Sequence, residues 1–200
     1  MRVYNTIKLP TEGFYKEKGS KFLAYAYPVD SMQAVRDIVS DLKKRYFDAR
    51  HHCFAHIIGH EEQQKVRAND DGEPAHSAGD PILGQIRSLD LTNTLVVVVR
   101  YFGGTKLGVP GLIHAYKMAA IEALSRAEVI TIEVKTNITL DYSYDLTSEV
   151  LRILNDFEVA IFNQKFTDSC TLSGKVIPER VRELSDKLGL LGLQLTIAED

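Results

Sequence analysis

The chain of 200 residues can hold one large domain or two small ones, and its hydrophobic and charged fractions, 44% and 26%, exclude a disordered or fibrous protein. The formal net charge of −3 excludes a globally basic protein, so any contact with nucleic acid depends on a local cluster of cations. Because no apolar run reaches the roughly 18 to 20 residues that cross a bilayer, and residues 1–6 lack the apolar core of a secretory signal, we expect a cytoplasmic protein.

The first 46 residues predict a β-hairpin followed by a helix. The hairpin turn is expected at residues 10–13 (PTEG), since strand-forming residues lie on both sides of this stretch. Asp30 or Ser31 can cap the helix, because apolar residues then recur at helical spacing from Ala34 to Tyr46.

Two further strands are expected in the next part of the chain. The first covers residues 51–58, ends at Gly59, and places His52 and His56 on the same face. The second covers residues 94–102 and contains four consecutive valines, which is typical of a central strand that is buried on both faces.

Two helices and a strand accompany this pair. A short helix is predicted at residues 81–89, before the valine strand. A longer helix begins at Pro110, which suits a first helical turn, and continues through Leu124 with an apolar stripe. Residues 129–134 are predicted as a strand.

The last 65 residues have a pattern of their own. The predicted elements are a strand at 137–144, a helix at 146–157, strands at 159–166 and 169–177, a helix at 178–188 and a strand at 193–197. This β-α-β-β-α-β order is that of a ferredoxin-like domain. Residues 1–135 hold 18 Lys and Arg against 16 Asp and Glu, whereas residues 136–200 hold 6 against 11. Pattern and charge together predict an α+β protein of two domains, 1–135 and 136–200.

The glycine-rich segment after the valine strand is the first candidate site. A strand that leads through glycines into a helix leaves backbone N–H groups free to bind an anion, and Lys106 adds a positive charge. Equally, Gly103, Gly104, Gly108 and Gly111 can serve only a tight turn and close packing of helix on sheet. The spacing matches neither a Walker loop nor a dinucleotide-binding fingerprint, and both interpretations stay open.

A carboxylate-rich loop at residues 69–79 is the second candidate site. Asp70, Asp71 and Glu73 are residues that can bind Mg²⁺ or act as acid and base. The preferred interpretation is a solvated turn, because Asp-Gly followed by Glu-Pro is common in turns. The pattern of a calcium-binding loop is absent.

The histidines and cysteines do not predict a metal site. His52 and His56 lie about 13 Å apart along an extended strand, too far to share a zinc ion, and no Cys-x-x-Cys or helical His pair is present. We expect Cys53 and Cys170 to be reduced, packed thiols. His76 lies close in sequence to a serine and an aspartate, but sequence neighbours rarely form a catalytic triad. No cofactor or metal is predicted.

Cations and aromatic rings alternate at the end of the valine strand. Arg100, Tyr101, Phe102 and Lys106 supply side chains that can stack on bases and hold phosphates. Alternate residues of a strand point to opposite faces, so Tyr101 or Phe102 is expected to pack in the core.

These segments together resemble the IMPACT family, whose bacterial members are the YigZ-like proteins. The resemblance rests on residues 18–22 (KGSKF), 49–55 (ARHHCFA), 69–81 (NDDGEPAHSAGDP), 98–108 (VVRYFGGTKLG) and 115–116 (AY). Pro110 stands where the family usually has glycine, His114 where arginine is common, and His76-Ser77 replace a more typical small residue and threonine.

The resemblance implies a fold and a functional context. It implies an N-terminal domain like the second domain of ribosomal protein S5, and a C-terminal ferredoxin-like domain similar to late domains of elongation factor G. Eukaryotic family members regulate translation by binding the activator of a starvation-responsive kinase, but they lack this C-terminal domain. The resemblance therefore implies a non-enzymatic, translation-related regulator or accessory factor that binds RNA, the ribosome or a protein partner.

Two other functions are compatible with the same residues. One is a small enzyme acting on a phosphorylated or carboxylated metabolite, with Asp71 or Glu73 as acid or base. The other is a protein-interaction module, which would expose an apolar rather than a basic surface. The catalytic residues and the oligomeric state are left open. The predicted binding residues are Asp70, Asp71, Gly72, Glu73, His76, Arg100, Tyr101, Phe102, Gly103, Gly104, Lys106, Gly108 and Gly111.

Overall fold

The computed structural model describes residues 2–60 and 64–197, which form two compact units. The first unit extends from Tyr4 to Ile132, and the second contains the described residues 2–3 and 133–197. Both units combine helices with antiparallel sheets, so the predicted α+β class with two domains is confirmed. None of the described helices is long and apolar enough to cross a membrane.

The first unit is built on a five-stranded antiparallel sheet. The strands in this part of the chain are β1 (Val3–Ile7), β2 (Thr11–Glu17), β3 (Ser20–Pro28), β4 (His51–Ile58), β5 (Lys65–Asn69), β6 (Thr94–Tyr101) and β7 (Val129–Glu133). The large sheet has the order β2-β3-β6-β4-β5, and β1 pairs separately with β7. The valine strand β6 lies at the centre and is buried on both faces, as predicted.

Helices cover both faces of this sheet and make three layers. The helices are α1 (Met32–Arg45), α2 (Gly79–Ser88) and α3 (Gly108–Leu124). Helix α1 packs on the face that carries Val97 and Val99, whereas α2 and α3 pack on the face that carries Val96 and Val98. Successive side chains of β6 point to opposite faces of the sheet, so alternate valines pack against α1 and against α2 and α3.

The start of α1 follows from one side chain. The Ser31 hydroxyl accepts the N–H of Ala34 at 3.2 Å, so Ser31 is the N-cap and Asp30, the other predicted start, lies outside the helix. Three basic residues, 43–45, occupy the last turn, where the helix dipole favours positive charge.

The predicted turn at residues 10–13 is wrong. Residues 11–13 begin β2, and the hairpin turn is formed by Lys18 and Gly19, which both have positive φ, 44° and 83°. Positive φ at both central residues is what a two-residue hairpin turn of type I′ requires. Gly13 is a packing residue, because a Cβ there would lie 2.3 Å from the Ala123 nitrogen of α3. The edge strand β5 has no counterpart among the predicted elements.

The second unit has the predicted order of elements. They are β8 (Thr136–Tyr142), α4 (Thr147–Asp156), β9 (Ala160–Phe166), β10 (Cys170–Val176), α5 (Pro178–Gly189) and β11 (Leu195–Ile197). The four strands form an antiparallel sheet in the order β11-β8-β10-β9. Its core contains Leu154 of α4 and Leu184 of α5 packed with Leu140 and Leu172 of the sheet.

Candidate binding site

The carboxylate-rich loop and the glycine-rich segment meet at the end of β6. The Arg100 Nη1 atom lies 2.6 Å from Glu73 Oε1, and the hydroxyl of Tyr116 in α3 donates to the same oxygen at 2.7 Å. The side chains of Arg100 and Glu73 are only 7% and 4% exposed. A buried, charge-assisted network therefore ties the loop, the central strand and the helix together.

A thiol extends this network toward β4. The Cys53 thiol donates to the Asp70 carbonyl at 3.0 Å and lies 3.3 Å from the Tyr116 hydroxyl. Burial raises the pKa of Cys53 despite the hydrogen bond with Tyr116, and the charge of Glu73 raises it further. Burial also raises the pKa of Tyr116, and interactions with Cys53 and Glu73 raise it further. Both groups are therefore neutral donors, and Cys53 is the reduced, packed thiol that was predicted.

Arg100 also contacts an aromatic ring and the hairpin turn. Its guanidinium carbon lies 5.5 Å from the ring centre of Phe22, and its Nη2 atom lies 3.5 Å from the Ser20 hydroxyl. Ser20 in turn accepts the N–H of Gly103 at 3.1 Å. The Gly103 N–H, one of the backbone donors that were candidates for binding an anion, therefore makes its hydrogen bond within the protein.

Gly103 is required by a close approach of two backbones. A Cβ at this position would lie 1.9 Å from the carbonyl carbon of Gly19. Gly104 and Gly108 differ, because each has a positive φ, 90° and 71°; a Cβ would meet nothing within 4 Å at Gly104 and only Pro110 Cδ, at 3.9 Å, at Gly108. Gly111 lies in the first turns of α3, where a Cβ would be 3.0 Å from Leu107. Close packing thus explains Gly103, and backbone conformation explains Gly104 and Gly108.

Asp70 organises the carboxylate-rich loop from within. Its carboxylate accepts N–H groups from His76 at 2.8 Å, Ala78 at 3.0 Å and Gly79 at 2.8 Å. Burial by itself raises the pKa of Asp70, but these three donors outweigh it and hold the pKa below its ordinary value. The carboxylate is a structural acceptor at the start of α2.

Asp71 turns toward the other face of the sheet. It accepts the N–H of His52 at 2.7 Å and pairs with Lys43 of α1 at 3.0 Å. Burial opposes its ionisation, yet these two partners lower the pKa of Asp71. Gly72, with φ of 89°, follows directly beside the ring of His51.

His76 and Tyr101 lie apart from the buried network. His76 is exposed, and its Nδ1 lies 2.6 Å from Asp80, whose hydrogen bond and charge raise the pKa of the imidazole. Tyr101 packs beside the α1 cluster and donates to Asp48 at 2.7 Å; this bond, with burial, raises the pKa of Tyr101 to about 12. Tyr101 is thus the ring that packs inward, while Phe102 is 56% exposed.

The exposed side chains at this end of the sheet are cationic and aromatic. Lys106 is exposed in the glycine loop together with Phe102 and Gly104. The hairpin turn that touches Gly103 adds exposed Lys18, and exposed Lys21 lies opposite Tyr101 in the sheet. We name these five residues, Lys18, Lys21, Phe102, Gly104 and Lys106, the glycine-loop surface.

Several residues of the site were not among the predicted binding residues. Lys18 and Lys21 belong to the glycine-loop surface, and Ser20, Cys53 and Tyr116 complete the contacts of Arg100, Glu73 and the glycine-rich segment. Each lies within a segment that carries the family resemblance, so the shared motifs were the signal that pointed to them. Within residues 2–60 and 64–197, no group of three or more His, Cys, Asp or Glu side chains is placed to hold a metal ion.

Sequence comparisons find relatives over most of the chain. The family model described as the Impact N-terminal domain matches residues 18–124. "IMPACT family member YigZ" of Escherichia coli (strain K12) is 31% identical over 172 residues, which cover 86% of this chain and 84% of that protein. "IMPACT family member YvyE" of Bacillus subtilis (strain 168) is 38% identical over 127 residues, and the match covers 64% of this chain and 58% of that protein.

Two solved structures are also similar. A crystal structure described as that of a hypothetical protein is 29% identical, covers 100% of this chain and 99% of its own, and has a TM-score of 0.73. A structure of Yih1, described as a two-domain translational regulator, is 28% identical, covers 62% of this chain and 47% of its own, and has a TM-score of 0.39. The first of these shares the fold of the whole chain.

Proposed function

The chain belongs to the IMPACT family, and on that premise we propose that it is a non-enzymatic, translation-related regulator that binds RNA through the glycine-loop surface. A role in regulating translation is what the family resemblance implies, and Yih1 is described as a translational regulator. RNA, free or in the ribosome, is the partner that the exposed side chains favour.

The observation that carries this proposal is that the carboxylates of the loop are bound within the protein, whereas the lysines and an aromatic ring are exposed. Glu73 is sequestered with Arg100, Asp70 accepts three backbone N–H groups, and Asp71 is bound to His52 and Lys43. What faces solvent is a ring and several lysines. The acidic loop therefore acts as a scaffold, and the glycine-loop surface is the part available to a partner.

The chemistry of the exposed groups suits single-stranded RNA. The Arg100 guanidinium carbon lies 5.8 Å from the ring centre of Phe102 and supports a ring whose exposed part can stack on a base. Lys18, Lys21 and Lys106 can neutralise neighbouring phosphates. A first domain with a charge of only +2 needs such a local cluster to bind RNA.

The enzymatic alternative requires a carboxylate that faces a substrate. Asp71 and Glu73, the proposed acids or bases, instead make their hydrogen bonds within the protein. An interaction module with an apolar surface is also less well supported, because the lysines are interspersed with the exposed ring. These contacts favour binding of an anionic partner over acid-base catalysis.

Ultraviolet crosslinking in cells followed by purification of the protein tests the proposal. We expect RNA to be recovered with the wild-type chain, and the Phe102→Ala/Lys106→Ala double variant to recover at least about tenfold less, since stacking on a base alone contributes about 1 to 3 kcal/mol and the lysine adds a phosphate contact. Both side chains are exposed, so the variant is expected to stay folded.

The matched control is Phe162→Ala/Lys187→Ala, which removes an equally exposed ring and lysine from the second unit. It should recover as much RNA as the wild type. If no RNA is recovered above background, or if both double variants lose it equally, RNA binding at the glycine-loop surface is rejected. Recovery of a crosslinked protein in place of RNA would support the interaction-module function.

A further inference from the structure

We propose that the first unit contains a second binding site, a groove between α1 and the edge strand β5 that takes a small amphiphilic anion. Such a ligand has an apolar ring or chain and one carboxylate, phosphate or sulfonate group. The site lies on the α1 face of the sheet, and the proposal stands independently of RNA binding at the glycine-loop surface.

The groove exists because α1 leaves one edge of the sheet uncovered. The apolar cluster beneath α1 contains residues of β3, β4 and β6, and among the described residues none of β5. A cavity of about 610 Å³ remains between the helix and that edge. Small-molecule sites usually have volumes of about 300 to 1,000 Å³, so this one is large enough for a metabolite.

The walls of the groove are mainly apolar. The lining includes Val35 and Val39 of α1 with Phe54 and His56 of β4, and also Phe47, which has 84% of its surface exposed. The rings of Phe54 and His56 are stacked, with centroids 6.3 Å apart. An apolar ligand body would cover these groups and remove their surface from water, which is the main driving force for binding at such a site.

The rim of the groove is positively charged. Lys43 is paired with Asp71 and Lys44 with Asp41, so both are already partly compensated. Arg67 of β5 lies over the Phe54 ring, 6.0 Å from its centre, and makes no ion pair within the described part of the chain. Among the described residues, Arg36 makes side-chain hydrogen bonds only with the neutral Gln33 amide. An anionic head group would therefore meet two arginines that no carboxylate in residues 2–60 and 64–197 is paired with.

His56 supplies the second reason to expect a ligand here. It lines the groove and is 1% exposed, and within the described residues neither ring nitrogen has a hydrogen bond of normal geometry. Burial lowers the pKa of the imidazole, although the Lys65 backbone is close enough to offset part of that effect. Buried polar atoms without a partner are rare and costly, and they are often satisfied by a bound molecule. A polar atom of the ligand beside His56 would remove that cost.

A pair of fluorescent probes that differ in charge tests the proposal. We would titrate the full-length protein with 8-anilinonaphthalene-1-sulfonate and, separately, with N-phenyl-1-naphthylamine, which has the same rings but no sulfonate. We expect one equivalent of the sulfonate probe to bind, about tenfold more tightly than the neutral probe, which corresponds to one favourable ionic contact.

Two variants locate the binding. Val39→Trp fills the groove and should lower the affinity for both probes by about tenfold or more. Arg67→Gln should weaken the sulfonate probe by a similar factor and leave the neutral probe unchanged. Arg87→Gln, the same change on α2 at the opposite face of the sheet, is the control and should leave both affinities at wild-type values.

The NMR signals of the His56 ring give an independent readout, and they should shift when the sulfonate probe is added. The proposal is overturned if Val39→Trp and Arg67→Gln both bind the sulfonate probe with wild-type affinity and have the melting temperature of the wild type. Equal affinity for the two probes would likewise reject an anion site. Displacement of the sulfonate probe by an acidic peptide that binds more tightly than the probe would show that a peptide, not a small molecule, occupies the groove.

Discussion

Arg100 was predicted to contact nucleic acid, and the structure places it in the buried ion pair with Glu73. The local sequence around Arg100 does not indicate that its side chain is buried. The burial depends on Glu73 in the carboxylate-rich loop, which lies 27 residues earlier in the chain. Whether the glycine-loop surface binds RNA stays a prediction. The role of Arg100 in it, however, is indirect: its side chain supports Phe102 from within the protein.

We expect Arg100→Ala to lower the free energy of unfolding by about 3 to 5 kcal/mol, because it leaves the Glu73 carboxylate buried without its partner. Urea denaturation followed by circular dichroism measures this. The control Lys106→Ala removes an exposed cation from the same segment and should change the stability by no more than about 0.5 kcal/mol. Equal losses in the two variants would mean that the ion pair contributes nothing specific.

Asp70 makes stability depend on pH. Its pKa in the folded chain is below the ordinary value of 3.8, so the unfolded chain binds the proton first as the solution is acidified. The stabilisation from Asp70 is therefore complete above about pH 5 and is lost as the pH falls through the folded-state pKa. Above that range it is constant with pH.

The expected result is a difference in unfolding free energy between wild type and Asp70→Asn that is largest near neutral pH and shrinks below pH 4, as measured by urea titrations at a series of pH values. Asp168→Asn, a change at an exposed position in the second unit, should show no such trend. A difference that stays constant down to the most acidic folded sample would contradict the assigned role of Asp70.

At the scale of elements, the hairpin turn and the glycine loop depend on each other. Gly103 approaches the Gly19–Ser20 backbone so closely that no side chain fits between the two loops. The turn was predicted at residues 10–13 because proline and glycine occur there, but Gly13 serves contact with α3 instead. Composition identifies glycines, whereas only the neighbouring backbone shows which of them is needed for a turn.

We expect Gly103→Ala to cost about 3 kcal/mol or more, because its Cβ would overlap the backbone of Gly19. Gly104→Ala is the matched change one residue later, in open space with positive φ, and should cost only about 1 kcal/mol. Thermal unfolding of both variants gives the comparison. If Gly104→Ala proves as damaging as Gly103→Ala, backbone conformation and not the close approach limits this segment.

Most helices and strands were predictable from local pattern. The valine run made β6 central, Ser31 began α1, Pro110 lies in the first turn of α3, and the βαββαβ order of the second unit was read correctly. The edge strand β5 was missed although its residues 65–69 (KVRAN) alternate polar and apolar side chains, because it is only five residues long and mostly exposed. Strands that contribute little to the core leave little trace in the sequence.

At the scale of the whole molecule, the two units differ in charge as well as in fold. The excess of acidic residues lies in the second domain, so the first can present a cluster of lysines although the chain as a whole is at −3. The structure adds that these lysines gather at one end of one sheet, beside the exposed Phe102. Net charge alone would have hidden this surface.

The sequence by itself determined the α+β class, the order of most elements, the family, and the two segments that form the site, because hydrophobic period, capping residues and contiguous motifs are local properties. Only the tertiary structure decided which polar groups face water. It buried Arg100 and Glu73 against each other, engaged Asp70 and Asp71 in hydrogen bonds within the protein, and left Phe102 and Lys106 exposed. Burial and pairing depend on residues far apart in the chain, so no local pattern records them.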